Sequence, residues 1–213
     1  MRMPPRLSRA SVVLAGSLAA FGLFAPIASA ADTPVSFACQ ATPPIGSAQT
    51  FNLAAGVNAT APASVAAGSQ FTVTLAPDAL TVPTTVSGYS VRSISNIKLT
   101  IPVPAGATLD GESLSGGAGI NTSTASVAVN GGNLVITVTG SVAGGSTFTL
   151  PALTLTLTAG ASGSTVRTAL GGTSYSDAGL TFSATIPVAF FTVNVPTACY
   201  PATASVLSST TVS

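Results

Sequence analysis

The chain has 213 residues, only 5% of them charged, and it contains no histidine. Without histidine the commonest general base and the commonest metal ligand are absent, so Ser-His-Asp and Cys-His catalytic sites are excluded. Beyond residue 30, three basic residues stand against five acidic ones, a net charge of −2. Such a surface cannot neutralise a row of phosphates, which argues against nucleic acid as a partner.

Residues 1–30 have the pattern of a signal peptide. Three arginines precede an apolar run over residues 11–24, and small residues lead to a cleavage site between Ala30 and Ala31. The run is too short for a transmembrane helix, and no later apolar run is long enough, so none is predicted in the mature chain. We expect the mature chain to be secreted, extracellular or associated with the cell envelope.

The segments that follow have the period-two alternation of β-strands. Strand-like runs, most of them alternating apolar and polar residues, occur in the stretches 49–59, 70–75, 92–104, 150–158, 180–185 and 188–195, and no sustained helical period occurs. The sequence Asn130-Gly-Gly-Asn133 between two such stretches predicts a tight hairpin, because Asn and Gly tolerate positive φ. About nine to eleven short strands separated by turn signals predict an all-β, immunoglobulin-like antiparallel sandwich.

The predicted domain organisation is simple. Residues 31–200 form one sandwich domain, and 201–213, which are rich in Ser and Thr, form a disordered tail. The segment Ser64–Leu75 is echoed at Ser141–Leu150, an offset of 77 residues. The echo is explained either by two strands entered through the same turn, which we favour, or by two similar halves meeting near 105–125.

The chain has two cysteines, Cys39 near the start of the mature part and Cys199 near its end. An exported chain with a pair of cysteines predicts a disulfide, which would join the first strand of the domain to its last. The alternative is two free thiols that serve as small buried apolar side chains.

Several motifs carry a resemblance to known proteins. The segment Ala63–Leu75 resembles bacterial immunoglobulin-like modules. Over most of the mature chain, the sequence resembles secreted proteins of high-GC actinobacteria, a group with no established activity; the matching stretches are Phe37-Ala-Cys39, Asn58–Val65, Tyr89–Ile94, Ile101–Gly106, Gly172–Asp177 and Asn194–Tyr200. The resemblance implies export and the disulfide, and it implies no particular chemistry.

Few side chains could carry chemistry. Asp110 and Glu112 would share one face of an extended strand, as a glycosidase pair or a weak cation site requires, although turn residues beside Gly111 need no such role. Lys98 alternates with apolar neighbours and should face solvent, and Asp177 should order a turn. The sequence therefore predicts no catalytic residue, no metal site beyond the weak Asp110 and Glu112 candidates, and no cofactor.

Tyr89 and Tyr175 are the only aromatic side chains suited to stacking on a sugar, and tyrosines at the edge of the core are the favoured explanation. The favoured function is a non-enzymatic secreted or envelope module with a structural, adhesive or binding role and an unknown cell-surface or extracellular partner. The alternative is an envelope pore subunit or lipid-binding carrier, because period two alone does not say whether an apolar face meets core or lipid. A hydrolase using Asp110 and Glu112 is a third hypothesis.

Overall fold

The structure is a computed structural model that describes residues 28–44, 46–121, 124–203 and 206–213. Seventeen strands lie in these ranges, which confirms the all-β class. Five of them are only two residues long, which is the main reason why the number exceeds the nine to eleven predicted. In chain order the strands are β1 (Ala28–Ala41), β2 (Gln49–Pro62), β3 (Ser64–Val65), β4 (Gln70–Pro77), β5 (Leu80–Thr81), β6 (Thr85–Val86), β7 (Tyr89–Ser90), β8 (Ser93–Pro102), β9 (Ala107–Ser115), β10 (Ala125–Asn130), β11 (Asn133–Ala143), β12 (Thr147–Phe148), β13 (Ala152–Ala159), β14 (Thr165–Ala169), β15 (Leu180–Val188), β16 (Phe191–Pro201) and β17 (Val206–Val212).

Ten strands form one antiparallel sheet in the order β10-β11-β8-β15-β16-β1-β2-β4-β13-β9. Its two end strands, β10 and β9, contact each other, so the sheet curls until its halves face one another across a shared interior. Strands from before and after residues 105–125 are interspersed in this sheet and contribute to one hydrophobic cluster. The proposed duplication of two halves remains a hypothesis.

The alternation seen in the sequence becomes an inward and an outward face. On β13 the side chains of Leu153, Leu155 and Leu157 are fully buried, and the threonines between them lie on the other face, half-buried. The apolar face of this strand therefore meets the protein's own core. The predicted hairpin is also present, since β10 and β11 are joined by Gly131 and Gly132, both with positive φ.

A bulge in β8 contributes to the curl of the sheet. Asn96 has a φ of 54°, and the register of β8 shifts at this position against both of its neighbours, β11 and β15. Asn is among the few residues that adopt this conformation readily, and a bulge bends a strand and increases its twist.

The predicted disulfide joins Cys39 in β1 to Cys199 in β16, with both side chains fully buried. The two residues lie directly opposite each other in the sheet, and their Cα atoms are 4.1 Å apart. No free cysteine occurs in the described part of the chain. In chain order β1 is the first strand of the large sheet and β16 is its last, and the two are neighbours near the middle of the sheet. The disulfide therefore crosslinks the first strand of that sheet to its last.

The prediction of a disordered tail was wrong. Residues 206–212 form β17, which pairs antiparallel with β14 and parallel with β3 in a separate three-stranded sheet. Leu207 and Val212 are buried, and the buried Thr210 hydroxyl donates to the carbonyl of Pro62 over 2.8 Å. Thr and Val favour extended structure, so a stretch rich in polar β-formers was mistaken for an unstructured end.

At the other end of the chain, residues 1–27 of the predicted signal peptide lie outside the described residues. The predicted cleavage site lies within β1, whose residues Ala28 to Ala30 pair with Thr60 to Pro62. Cleavage there stays a prediction. In the described ranges, no helix has the length and apolar character needed to cross a bilayer.

The echoed segments share their local structure and differ in their partners. Each segment has a buried valine, Val65 in the first and Val142 in the second. A turn containing a glycine with positive φ follows, and after it comes a buried phenylalanine, Phe71 or Phe148. Phe71 lies in β4 of the large sheet, whereas Phe148 lies in β12, which pairs with β5.

Candidate functional site

The two carboxylates proposed as a pair do not share a face. A register shift between β13 and β9 leaves Asp110 without a partner, while Gly111 and Glu112 lie opposite Thr156 and Leu155. Because of this bulge, Glu112 occupies a register position on the side of the buried Leu155, and Asp110 lies on the outer face. The sequence could not show this, because face sharing was inferred from an unbroken period of two.

Asp110 accepts hydrogen bonds from the Thr158 hydroxyl at 2.6 Å and the Gln70 amide at 3.1 Å. These bonds, that of Thr158 most strongly, lower the pKa of its carboxyl below the ordinary value of 3.8. They stabilise the fold above pH 3.8, and this contribution is lost as the pH falls through the lower pKa of the folded state. We expect an NMR titration midpoint for Asp110 below 3.8. Thr158→Val should raise that midpoint, whereas Thr154→Val, on the same strand face, should leave it unchanged; a midpoint at or above 3.8 would contradict the assignment.

Two other candidates have the structural roles expected of them. Lys98 is exposed on the outer face of β8. Asp177 orders a turn, since its carboxylate accepts from the Thr173 hydroxyl at 2.8 Å and its carbonyl accepts from the Thr173 N–H. Throughout the described ranges, no three His, Cys, Asp or Glu side chains come together as a metal site would require.

The two tyrosines differ. Tyr175 packs edge-on against Tyr200 with ring centroids 5.1 Å apart, and its half-buried position is that of a core-edge residue. Tyr89 is 55% exposed, so the expectation of a core-edge position was wrong for this residue. It stands at the opening of a large apolar cavity.

The cavity occupies one side of the interior of the curled sheet. It has a volume of about 500 Å³ and is bounded by β1, β2, β8, β15 and β16, with the segment 80–91 and residues 148–150 covering it. The opposite side, formed by β9, β10, β11 and β13, is filled by its own side chains and contributes nothing to the lining. Voids in a close-packed interior are rarely much larger than a water molecule, so this space is not an ordinary packing defect.

The walls of the cavity are apolar, and none of the side chains that line it is charged. Partly buried aromatic and aliphatic side chains form much of the surface; they are Phe51, Leu53, Phe182, Ile186 and Val193. Each side chain lies at an inward-facing position of its strand, and no other side chain covers it completely. The inward positions Ala41, Ala55 and Ala184 are small, which leaves the space open.

Polar lining residues are concentrated at the mouth. Residues 42–44 and 46–48, the β6–β7 hairpin and the β15–β16 hairpin surround the opening, and exposed Ser47 and Ser87 lie on its rim. Thr197 is the one buried polar residue of the lining, and its hydroxyl is directed to the backbone carbonyl of Val195 at 3.5 Å. The interior therefore offers almost no hydrogen-bonding groups to a ligand.

No protein-family model, curated protein or solved structure matches this chain. The candidate site therefore stands on its geometry. The resemblance to secreted actinobacterial proteins stays a prediction.

Sequence reasoning missed the cavity. An inward Phe or Leu in a strand has the same period whether it meets a packed core or lines an open space. One signal was present in the sequence, since Ala41, Ala55 and Ala184 occupy inward positions among bulky residues.

Proposed function

We propose that the chain is a non-enzymatic binding module that holds an apolar ligand, the hydrocarbon chain of a lipid, in the cavity of the curled sheet. This proposal rests on the cavity of about 500 Å³, whose walls are uncharged and consist largely of partly buried aromatic and aliphatic side chains. Ligand sites are commonly apolar clefts of roughly 300–1,000 Å³. The proposal develops the lipid-carrier alternative raised by the sequence.

Water is a poor occupant of this space. The volume corresponds to roughly seventeen water molecules at about 30 Å³ each. An ordered buried water needs two to four polar partners, and the lining offers few. An apolar ligand therefore displaces weakly held water and covers exposed apolar walls, and each methylene it buries contributes about 0.8 kcal/mol.

The ligand's polar end stays outside. A charge within the cavity would be desolvated without a partner, since no lining side chain carries the opposite charge. A headgroup at the mouth would instead meet solvent and the exposed hydroxyls of Ser47 and Ser87. The site thus selects for the hydrocarbon part and is tolerant of the headgroup.

We also propose that the module works outside the cytoplasm, released or held non-covalently in the envelope. The buried disulfide between Cys39 and Cys199 supports this, because such bonds persist mainly in oxidising compartments. The predicted signal peptide points the same way.

Affinity should depend on chain length up to a limit. With protein stripped of bound lipid and a series of straight-chain primary alcohols, we expect calorimetry to show Kd falling about fourfold for each added methylene. The gain should stop at the length that fills the cavity, because further methylenes remain in water. Affinity that is independent of chain length, or absent, would contradict the proposal.

Two neighbouring residues provide a matched control for the site of binding. Ala55 lines the cavity and Ala54, next to it on β2, is exposed on the outer face. Ala55→Phe should move the end of the series to shorter alcohols, and Ala54→Phe should leave it unchanged. Equal effects of the two substitutions would place the binding elsewhere and favour a purely structural or adhesive module.

A further inference from the structure

We propose that the tip of the β15–β16 hairpin, residues 188–191, inserts into the surface of a neutral lipid bilayer and sets the cavity mouth against it. This inference rests on the proposed function, since it names the source from which the apolar ligand is loaded. The exposed apolar patch at this hairpin tip thus binds a lipid surface. The experiment must reject the alternative that the patch binds a second copy of the chain.

Exposed large apolar side chains are concentrated at the cavity mouth. Six large apolar side chains are exposed in the described ranges, and four of them border the cavity mouth. Phe190 is fully exposed, Phe191 is 60% exposed and Val188 is 41% exposed, all in the hairpin tip, and Tyr89 stands at the same opening. Contiguous exposed apolar residues of this kind mark interaction sites rather than ordinary surface.

The second observation is the turn itself. Val188 pairs with Phe191, so Ala189 and Phe190 form a two-residue turn. Such turns favour Asn, Asp or Gly, as the chain itself shows at Gly131 and Gly132. Here Ala189 adopts a φ of 49°, which is strained for a residue with a Cβ, and the most exposed position holds a phenylalanine. A hairpin that only had to turn in water would need neither residue.

The third observation is the absence of charge around the mouth. The stretches 33–77, 79–91 and 178–203, which supply the surrounding loops and hairpins, contain no Asp, Glu, Lys or Arg. The region can therefore enter a headgroup layer without desolvating a charge. Arg92, whose N–H donates to the carbonyl of Thr185 at the base of the hairpin, is a single cation, too little for attraction to anionic lipid.

The fourth observation is continuity between the patch and the cavity. Val188, Phe191 and Tyr89 are exposed to solvent and also line the cavity. With the tip in a bilayer, a hydrocarbon chain would pass from lipid to cavity along an apolar path without crossing water. A protein partner seated on the patch would instead close the mouth.

The test uses the full mature chain with vesicles of phosphatidylcholine alone, in a flotation assay. We expect the chain to float with these vesicles, with equal binding at low and high ionic strength and no preference for vesicles containing anionic lipid. Phe190→Ser should weaken the partition by about tenfold or more, because a fully exposed aromatic ring loses its burial in lipid.

Val129→Ser is the matched control, since Val129 is 50% exposed on β10, away from the mouth. It should leave vesicle binding unchanged. Equal losses in the two variants, or no binding by the original chain, would overturn the docking proposal. The docking proposal would also be overturned if sedimentation showed that the original chain is a dimer and the Phe190→Ser variant is a monomer. The hairpin tip would then be a contact between two copies of the chain.

The alcohol series separates this proposal from the proposed function. Phe190→Ser should retain the wild-type affinity for soluble alcohols while the rate of ligand uptake from vesicles falls, because Phe190 does not line the cavity. Alcohol binding without vesicle binding would overturn docking and leave the cavity's function standing. Vesicle binding without alcohol binding would overturn the cavity's function, and with it the loading route.

Discussion

Replacing Cys39 and Cys199 together with alanine should lower the free energy of unfolding by about 5 kcal/mol. The bond closes a loop of 160 residues, and in the chain-entropy model most of its effect comes from restricting the unfolded chain. Both residues are fully buried, so the reduced protein also keeps two thiols in its interior. Urea unfolding of the oxidised protein and of the double variant measures the difference.

Reduction of the original protein is the control for the disulfide prediction. Reduced protein retains both sulfur atoms, so a similar loss there assigns the effect to the crosslink rather than to packing around the missing sulfurs. Reductant should not change the double variant. Unfolding midpoints that agree for oxidised and reduced protein would contradict the prediction.

Leu207→Ala should destabilise the fold by roughly 3 kcal/mol, because it leaves a cavity where a side chain only 2% exposed was packed. Val206, its neighbour on β17, is 51% exposed, and Val206→Ala should change stability by no more than about 0.5 kcal/mol. Removing residues 206–213 should cost more than either substitution, since β14 and β3 both lose their partner. Thermal and urea unfolding measure all three.

If residues 206–213 were an unstructured tail, Leu207→Ala, Val206→Ala and the truncation would all leave stability unchanged. The pairing of β17 with β3 and β14 would then be wrong. A loss confined to the truncation would instead assign the stability to backbone pairing and not to the buried Leu207.

The parts of the fold that sequence reasoning predicted rest on local rules. Asn130-Gly-Gly-Asn133 specifies a two-residue turn by its tolerance of positive φ, and that turn alone fixes the register of β10 and β11. The alternating leucines of β13 form a buried face because successive side chains of a strand point to opposite faces of the sheet. Two cysteines have one possible pairing within the chain, so predicting the disulfide needed no knowledge of the topology.

The parts that failed depend on distant partners. Residues 206–212 look like a polar tail until β14 and β3 are placed beside them. Asp110 and Glu112 share a face only if β9 is regular, and its bulge is visible only against β13. Whether Phe51 and Phe182 are covered depends on which strands lie across the interior, and no local pattern contains that information.

The pairing of β1 with β16 has a consequence for how the chain acquires its structure. β1 lies between β2, its neighbour in sequence, and β16, which ends at residue 201 of 213. β3 similarly pairs with β17, which lies far from it in the sequence. The ten-stranded sheet and the three-stranded sheet are thus both completed by strands that lie far along the chain from their partners. Such long-range pairing gives a high contact order and slow folding. A chain in which β16 and β17 have not yet paired therefore exposes an edge of β1 and an open apolar interior, which are features that favour aggregation.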